Sequence, residues 1–425
     1  MIESIIKTSS GFPTVMCNGK LLHSRFDPQK ESERYIESLN LPNNILYVIL
    51  IECGLCYVIP AIRKILPHVK IISLHLSDYI YKNVQHKADA STNCKPVDTE
   101  NPQNFTQCAD FLEKETEDTE AAKIKIIEWR AALDIYGKDY LGLLSAVVGF
   151  VKRLDANKRT TDCFSARWKK NIERNKHIIS KLPHIARQNA DCIIAAAGPS
   201  LENNFSAIQK MIVESRANIC EKSKRQVKLI SVSSAALALL SRGMVPDIIV
   251  TSDGGQWAKH HLNECMRFDL SKTIIAATLN SALPSQYANI DVLPIGDGSR
   301  EQEDVLHSMS ARCLHIPQRG TVSVTAIDLA FILFTGNVYL CGIDLGDDDI
   351  KSHTRPYSFD FILENSSNRL QVLYGAHFKR SYMIKRGNSN TIYADWFKQN
   401  LGKYKNRLFA LGKLNEVFDI PYAAH

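Results

Sequence analysis

The chain has 425 residues, 45% of them hydrophobic and 23% charged, with a net charge of +7. That length exceeds one ordinary core and calls for two or three domains of globular composition. No apolar run reaches the roughly eighteen residues of a transmembrane helix, and the mild positive charge suits an anionic ligand without requiring one.

Basic stretches at 167–176 and 379–386 occur without a helix-turn-helix, RNA-binding or finger pattern. They read as solvated faces, and neither a nucleic-acid nor a membrane partner is expected. The N-terminal MIESIIKTSSGF lacks the apolar core and small-residue cleavage site of a signal peptide, so a cytoplasmic location is expected. The 11 cysteines should then be mostly reduced, buried thiols.

In chain order, Leu22–Pro28 precedes a polar helical stretch through Ser38. The run ILYVILI at 45–51 is continuously apolar, as a buried parallel strand should be. The loop Glu52-Cys53-Gly54-Leu55-Cys56, a helical stretch and a second strand at 69–76 complete a Rossmann-like β-loop-α-β unit. Its loop has one glycine, so G-x-G-x-x-G is absent. Cys53 and Cys56 form a C-x-x-C without a second pair to complete a zinc site, and read as incidental. Residues 85–120 read as a long loop or an insertion with short helices. Residues 121–182 read as helical, with Trp129, Tyr136, Tyr140, Phe150, Phe164 and Trp168 as core aromatics.

From about residue 161, strand candidates at 192–196, 228–232, 248–251, 273–276, 292–294 and 338–340 alternate with helices at 200–214, 234–242 and 321–334. That alternation predicts a mostly parallel, doubly wound sheet. The expected domains are 1–160, Rossmann-like with a helical linker, 161–355, central, and 356–425, a mainly helical C-terminal segment. No internal repeat, P-loop or G-x-S-x-G is present, which argues against a P-loop kinase and a hydrolase elbow.

Three strand ends and one helix start carry candidate chemistry. In DCIIAAAGPSL, Gly198 lets the backbone turn and approach a ligand, and Pro199 and Ser200 open a helix whose N–H groups can meet an anion. In PDIIVTSDGG, Asp253 follows a strand and can accept from sugar or ribose hydroxyls, or simply cap a turn. Gly320, Thr321 and Ser323 open another helix, with N–H groups and hydroxyls suited to phosphate or to ordinary capping. Gly342 and Asp344 end a strand, and His353 lies nine residues further on, where a neutral imidazole can take a proton. The run Asp347–Asp349 offers oxygen ligands for Mg²⁺ or Mn²⁺, though a solvated acidic loop is the plainer reading. Strand ends of this kind predict one cleft for a phosphorylated or nucleotide ligand.

These segments, with TAIDLAFILFTGNVYLCGIDLG…SH, LLHSRFDPQKESER and ILYVILIECGLCY, resemble the motility-associated factor (Maf) flagellin glycosyltransferases over most of residues 20–355. The family shares its central domain with archaeal hydroxymethylpterin diphosphokinases. The GPSL and Gly-Ile-Asp segments also look like bacterial CMP-sialic acid sialyltransferases, which implies a sialyltransferase-like central domain. The resemblance implies transfer of a nonulosonic acid, pseudaminic or legionaminic in type, from its CMP donor to Ser or Thr of flagellin, in support of flagellum assembly and motility. His353 and Asp253 are then the catalytic candidates. Gly198, Pro199, Ser200, Asp253, Gly320, Thr321, Ser323, Gly342 and Asp344 are the donor-binding candidates. No cofactor is required beyond the donor, and Mg²⁺ is a candidate metal with no assigned ligands. The alternatives are a Mg-ATP-dependent hydroxymethylpterin diphosphokinase and a non-catalytic flagellin-binding protein. The family's N-terminal loop is usually richer in glycine; here Cys53 and Cys56 stand where small residues are expected.

Overall fold

The computed structural model describes residues 3–96, 105–116, 119–179, 186–217, 225–297, 300–308, 313–317, 321–346, 350–386, 393–394, 396–397, 400–414 and 416–423. The chain divides into two units, Met1–Cys163 and Phe164–His425. Among the described residues no helix is long and apolar enough to cross a membrane.

The first unit opens with a small antiparallel sheet of β1 (Glu3–Lys7), β2 (Pro13–Cys17) and β3 (Lys20–Leu21). Helix α1 (Pro28–Ser38) follows, started by Pro28 at its first turn and capped by Asp27, whose carboxylate accepts from Lys30 N–H at 3.0 Å. Then come β4 (Tyr47–Ile51), α2 (Val58–Ile65), β5 (Lys70–His75), α3 (Asp78–Val84), β6 (Ala90–Asn93), α4 (Thr106–Thr116), β7 (Ile124–Glu128) and α5 (Arg130–Tyr136). The four parallel strands lie in the order β6-β5-β4-β7. Strand β4 has parallel neighbours on both sides, which is why its sequence is an unbroken apolar run. Within the stretch read as helical, Ile124–Glu128 instead forms β7: the short run IKIIE is as good a strand as a helix turn, and the open edge of β4 decides the matter.

Helix α6 (Lys138–Ile178) begins in the first unit and ends in the second. The second unit continues through β8 (Ala190–Ala195), α7 (Phe205–Ala217), β9 (Gln226–Val232), α8 (Ser233–Leu240), β10 (Ile248–Thr251), α9 (Gln256–Cys265), β11 (Ile274–Thr278), β12 (Val292–Gly296), α10 (Arg300–Ser308), β13 (Leu314–His315), α11 (Val322–Leu333), β14 (Val338–Cys341), α12 (Asp360–Ser366), α13 (Leu373–Arg386) and β15 (Leu408–Ala410). Among the described residues, its eight strands run parallel in the order β13-β12-β11-β10-β9-β8-β14-β15. This is the expected Rossmann-like, doubly wound α/β fold. Residues 356–425 contribute α12 and α13, and beyond the helical reading they also supply the edge strand β15.

Alternation along the strands builds two core faces. Ile248, Val250 and Ala276 join a cluster with the buried faces of α7 and α11. Ile249, Ile275 and Ala277 join another with the end of α6, α8 and α9.

The strand order reverses between β8 and β14. From β8 the chain steps outward to β13; α11 then carries it back to β14, and β15 lies beyond. Ligands of open α/β sheets bind at the carboxyl ends of the strands flanking such a reversal.

The last turns of α6 tie down the carboxyl edge further along. Asn171 Nδ2 donates to Gly254 O and Asn280 O, both at 3.0 Å, and Asn175 Nδ2 donates to Leu279 O and Ser281 O, both at 2.8 Å. Two side chains one helical turn apart thus satisfy four buried carbonyls after β10 and β11. We expect Asn175→Ala to lose about 2 kcal/mol or more of unfolding free energy, because two buried carbonyls lose their donor. Urea denaturation measures it, and an unchanged midpoint would contradict the assignment.

Candidate functional site

The carboxyl ends of β8 and β14 meet in one hydrogen-bonded junction. Gly198 N–H donates to Gly342 O at 2.7 Å, and Ala196 N–H donates to Cys341 O at 2.9 Å. A Cβ on Gly198 would stand 2.6 Å from both Gly342 O and the Asp344 carboxyl carbon, closer than real side chains approach. Gly342 holds φ at 71°, in the left-handed region. Both glycines therefore answer a need for close approach of two loops.

Asp344 uses that approach. Its Oδ2 accepts from Ser200 N–H at 2.8 Å and its Oδ1 accepts from the Ser200 hydroxyl. Asp344 thus caps the 3-10 turn Pro199–Asn204 from a strand 144 residues away in sequence. The sequence suggests the N–H groups of this turn for an anion and Asp344 as ligand; in the fold the Ser200 N–H is already given to Asp344.

The loop carrying His353 lies against the same turn. Thr354 N–H donates to Ala197 O at 2.8 Å, and Arg355 N–H donates to Glu202 Oε1 at 2.7 Å. Lys351 Nζ donates to Glu202 Oε2 at 2.6 Å. Burial opposes the charge on Glu202, but the hydrogen bonds from Lys351 and Arg355 outweigh it and hold its carboxyl below its ordinary value. His353 stacks on Tyr357 with ring centroids 4.2 Å apart and planes 15° off parallel, and its Nδ1 lies 3.0 Å from Ser352 Oγ. The stack fixes the ring's plane. Tyr357 is itself surrounded by His261 and Phe359.

Helix α11 points its start toward this edge. Its end lies at the beginning of β8, where Gln188 N–H donates to Leu333 O at 2.7 Å. A helix packed against parallel strands and ending at their amino edge must begin at their carboxyl edge. Thr321 is its N-cap residue, and its side chain makes no capping hydrogen bond among the described residues. Ser323 is half-buried in that turn.

Asp253 lies at the end of β10, two strands along from β8, or about 10 Å at ordinary strand spacing. It is exposed, and its Oδ1 accepts from Gly255 N–H at 2.7 Å, as in a local turn. Trp168 packs its indole against Gly254, and Phe164 stacks on Trp168 at 6.3 Å. These two aromatics, expected in the core, instead cover a strand-end loop; Trp129, Tyr136, Tyr140 and Phe150 are buried as expected.

The fold therefore gathers Gly198, Pro199, Ser200, Gly342, Asp344 and the His353 loop at the switch point. Asp253 stands on the same edge, and the start of α11 points to it. Gly320 and Asp347–Asp349 lie outside the described residues. Among the described residues no group of three or more His, Cys, Asp or Glu side chains could hold a metal. Cys53 and Cys56 are buried free thiols, and burial pushes the Cys53 thiol well up, as suits inert cysteines.

Sequence reasoning missed Glu202, Trp168, Tyr357 and Tyr393. The phenol of Tyr393 is pushed up by burial first and by the Asp253 charge second. It also missed the hydroxyls of Thr251 and Thr354, buried with no hydrogen-bond partner among the described residues. The signal for Glu202 was available: it is the first acidic residue after GPSL, in the first turn.

Residues 166–349 match the family described as MptE-like, 6-hydroxymethylpterin diphosphokinase MptE-like. A protein of Treponema pallidum (strain Nichols), described only as uncharacterized, is 22% identical over 292 residues. That match covers 68% of this chain and 59% of the relative's length. Among solved structures, the Maf glycosyltransferase from Magnetospirillum magneticum AMB-1 superposes with a TM-score of 0.52 at 12% identity, covering 99% of this chain and 70% of that one. The resemblance drawn from the motifs is borne out at this level: an MptE-like domain within a chain that has the fold of a Maf glycosyltransferase.

Because the folded carboxyl of Glu202 is held below its unfolded value, its contribution is present above the unfolded pKa and is lost as pH falls through the folded one. We expect Glu202→Gln to melt below the parent at pH 7 and the gap to close on acidification below about pH 4. Thermal melts across pH measure it; a gap that persists in acid would mean that packing, not charge, is lost.

Proposed function

We propose that this chain is a glycosyltransferase that moves a nonulosonic acid, of the pseudaminic or legionaminic type, from its CMP donor to Ser or Thr hydroxyls of flagellin in the cytoplasm, and so serves flagellum assembly and motility. The observation that carries the reading is the switch-point junction of Gly198, Gly342 and Asp344 beside the His353 loop, in a chain with the fold of a Maf glycosyltransferase.

The reaction makes three demands. The acceptor hydroxyl must lose its proton as its oxygen bonds to the anomeric carbon; His353 takes that proton. The bond from the anomeric carbon to the phosphate oxygen breaks, and CMP leaves with the electron pair. The hydroxyls of Thr321 and Ser323 and the first N–H groups of α11 meet its charge. Asp253 accepts hydroxyls of ribose or sugar. Asp344 acts as a positioning residue, since its oxygens hold Ser200. CMP is already a good leaving group, so this route does not oblige a metal.

A second reading rests on the family match itself. An MptE-like domain suits ATP-dependent diphosphate transfer to a hydroxymethylpterin, with Mg²⁺ drawn to Asp347–Asp349. The two readings differ in nucleotide and in metal.

Titration calorimetry with CMP and ATP, each with and without Mg²⁺, separates them. We expect CMP to bind without metal, and Asp253→Ala and Gly198→Val each to weaken it about tenfold or more. ATP binding only with Mg²⁺ would favour the diphosphokinase. We further expect His353→Ala to keep CMP affinity while slowing transfer to flagellin by about 10²-fold or more; an unchanged rate would remove His353 as the base.

A further inference from the structure

The first unit has a switch point of its own. Its strand order β6-β5-β4-β7 reverses between β4 and β7, so the crevice lies where β4 ends at Ile51 and β7 at Glu128. A cavity of about 600 Å³ opens at the end of β7, lined by Glu31, Tyr35, Glu128, Trp129, Arg130 and Tyr140. That volume is within the range of small-molecule sites.

The wall chemistry selects among ligands. The ring donors are already used inside the protein: the Tyr35 hydroxyl donates to Glu128 O at 2.7 Å and Trp129 Nε1 donates to Leu22 O at 2.6 Å. The Tyr140 hydroxyl accepts from Trp129 N–H at 3.0 Å. Trp129 and Tyr140 are buried, so Tyr35, whose hydroxyl is already engaged, supplies the ring surface that the cavity meets. The polar functions left are two carboxylates, Glu31 and Glu128, and the Arg130 guanidinium. Two carboxylates disfavour a phosphate or nucleotide, and the guanidinium disfavours a cation. A hydroxyl group satisfies both, donating to a carboxylate and accepting from the guanidinium.

Behind Glu31 the packing is closed by His23. His23 is 3% exposed, and its Nε2 accepts from Leu55 N–H at 2.8 Å, which places the ring proton on Nδ1. Its ring also occupies the space beside Gly54, joining the Leu22–Pro28 segment to the Glu52–Cys56 loop. Nδ1 is buried without a hydrogen-bond partner, and Glu31 Oε2, which already accepts from Ser24 N–H at 2.7 Å, stands 4.0 Å from it. Burial of the ring lowers the His23 pKa to about 3, so it stays neutral.

We propose that this crevice is a binding site for an uncharged, hydroxyl-rich pyranose, held with its C–H face on Tyr35 and its hydroxyls on Glu31, Glu128 and Arg130. The site is built entirely from the first unit and does not rest on the transferase reading of the second.

Saturation-transfer NMR on the full chain tests it, with glucose, galactose, N-acetylglucosamine and their methyl glycosides as probes, and CMP and N-acetyl-lysine methyl ester as charged competitors. We expect at least one sugar to show saturable transfer to its ring C–H protons. Ala131→Phe, at a half-buried lining position, should abolish the signal by filling the cavity. Glu128→Gln, at an exposed position, should weaken binding about tenfold with an unchanged melting temperature. The proposal is overturned if no sugar gives a signal at about 20 mM, far above the Kd of even a weak site. It is equally overturned if both variants leave the signal intact, or if either charged probe displaces the sugar.

Discussion

The second unit depends on one contact: the approach of the loops after β8 and β14, closed by the Gly198 N–H bond to Gly342 O and by the Asp344 cap on Ser200. No side chain fits between these loops, so both turning residues are glycines. The capping carboxylate then sets where the turn Pro199–Asn204 begins, and the turn's Glu202 anchors the segment that carries His353. Residues far apart in sequence thus become one rigid edge.

A second set of restraints lies further along that edge. The Asn171 and Asn175 amides hold the loops after β10 and β11, and Trp168 covers Gly254 beside Asp253. The end of α6 therefore acts as a brace for the loop where Asp253 stands. Polar side chains tolerate such burial only when their partners are fixed, which makes this part of the helix as constrained as a strand.

The two units use the same parallel topology with different wall chemistry. At the reversal in the second, the features are two glycines, the Asp344 cap on Ser200 and the start of α11. At the end of β7 in the first, they are one tyrosine face, two carboxylates and one guanidinium, suited to hydroxyls. Topology locates a crevice; the side chains at its rim decide what it can hold.

The sequence by itself determined the parallel sheet, since short runs such as YVILI and IIVT, apolar on both faces, alternate with helical stretches. It also located Gly198, Asp253, Gly342 and Asp344 at strand ends, because glycine and aspartate punctuate the hydrophobic runs. Only the tertiary structure decided that Ile124–Glu128 is a strand, that residues 408–410 extend the sheet, and that Phe164 and Trp168 leave the core. It alone turned Asp344 toward Ser200 and gathered Glu31, Trp129 and Arg130 around a cavity. The reason is physical: hydrophobic period reports which faces are buried, whereas partners more than a hundred residues apart are chosen by strand order, and strand order leaves no local trace in the sequence.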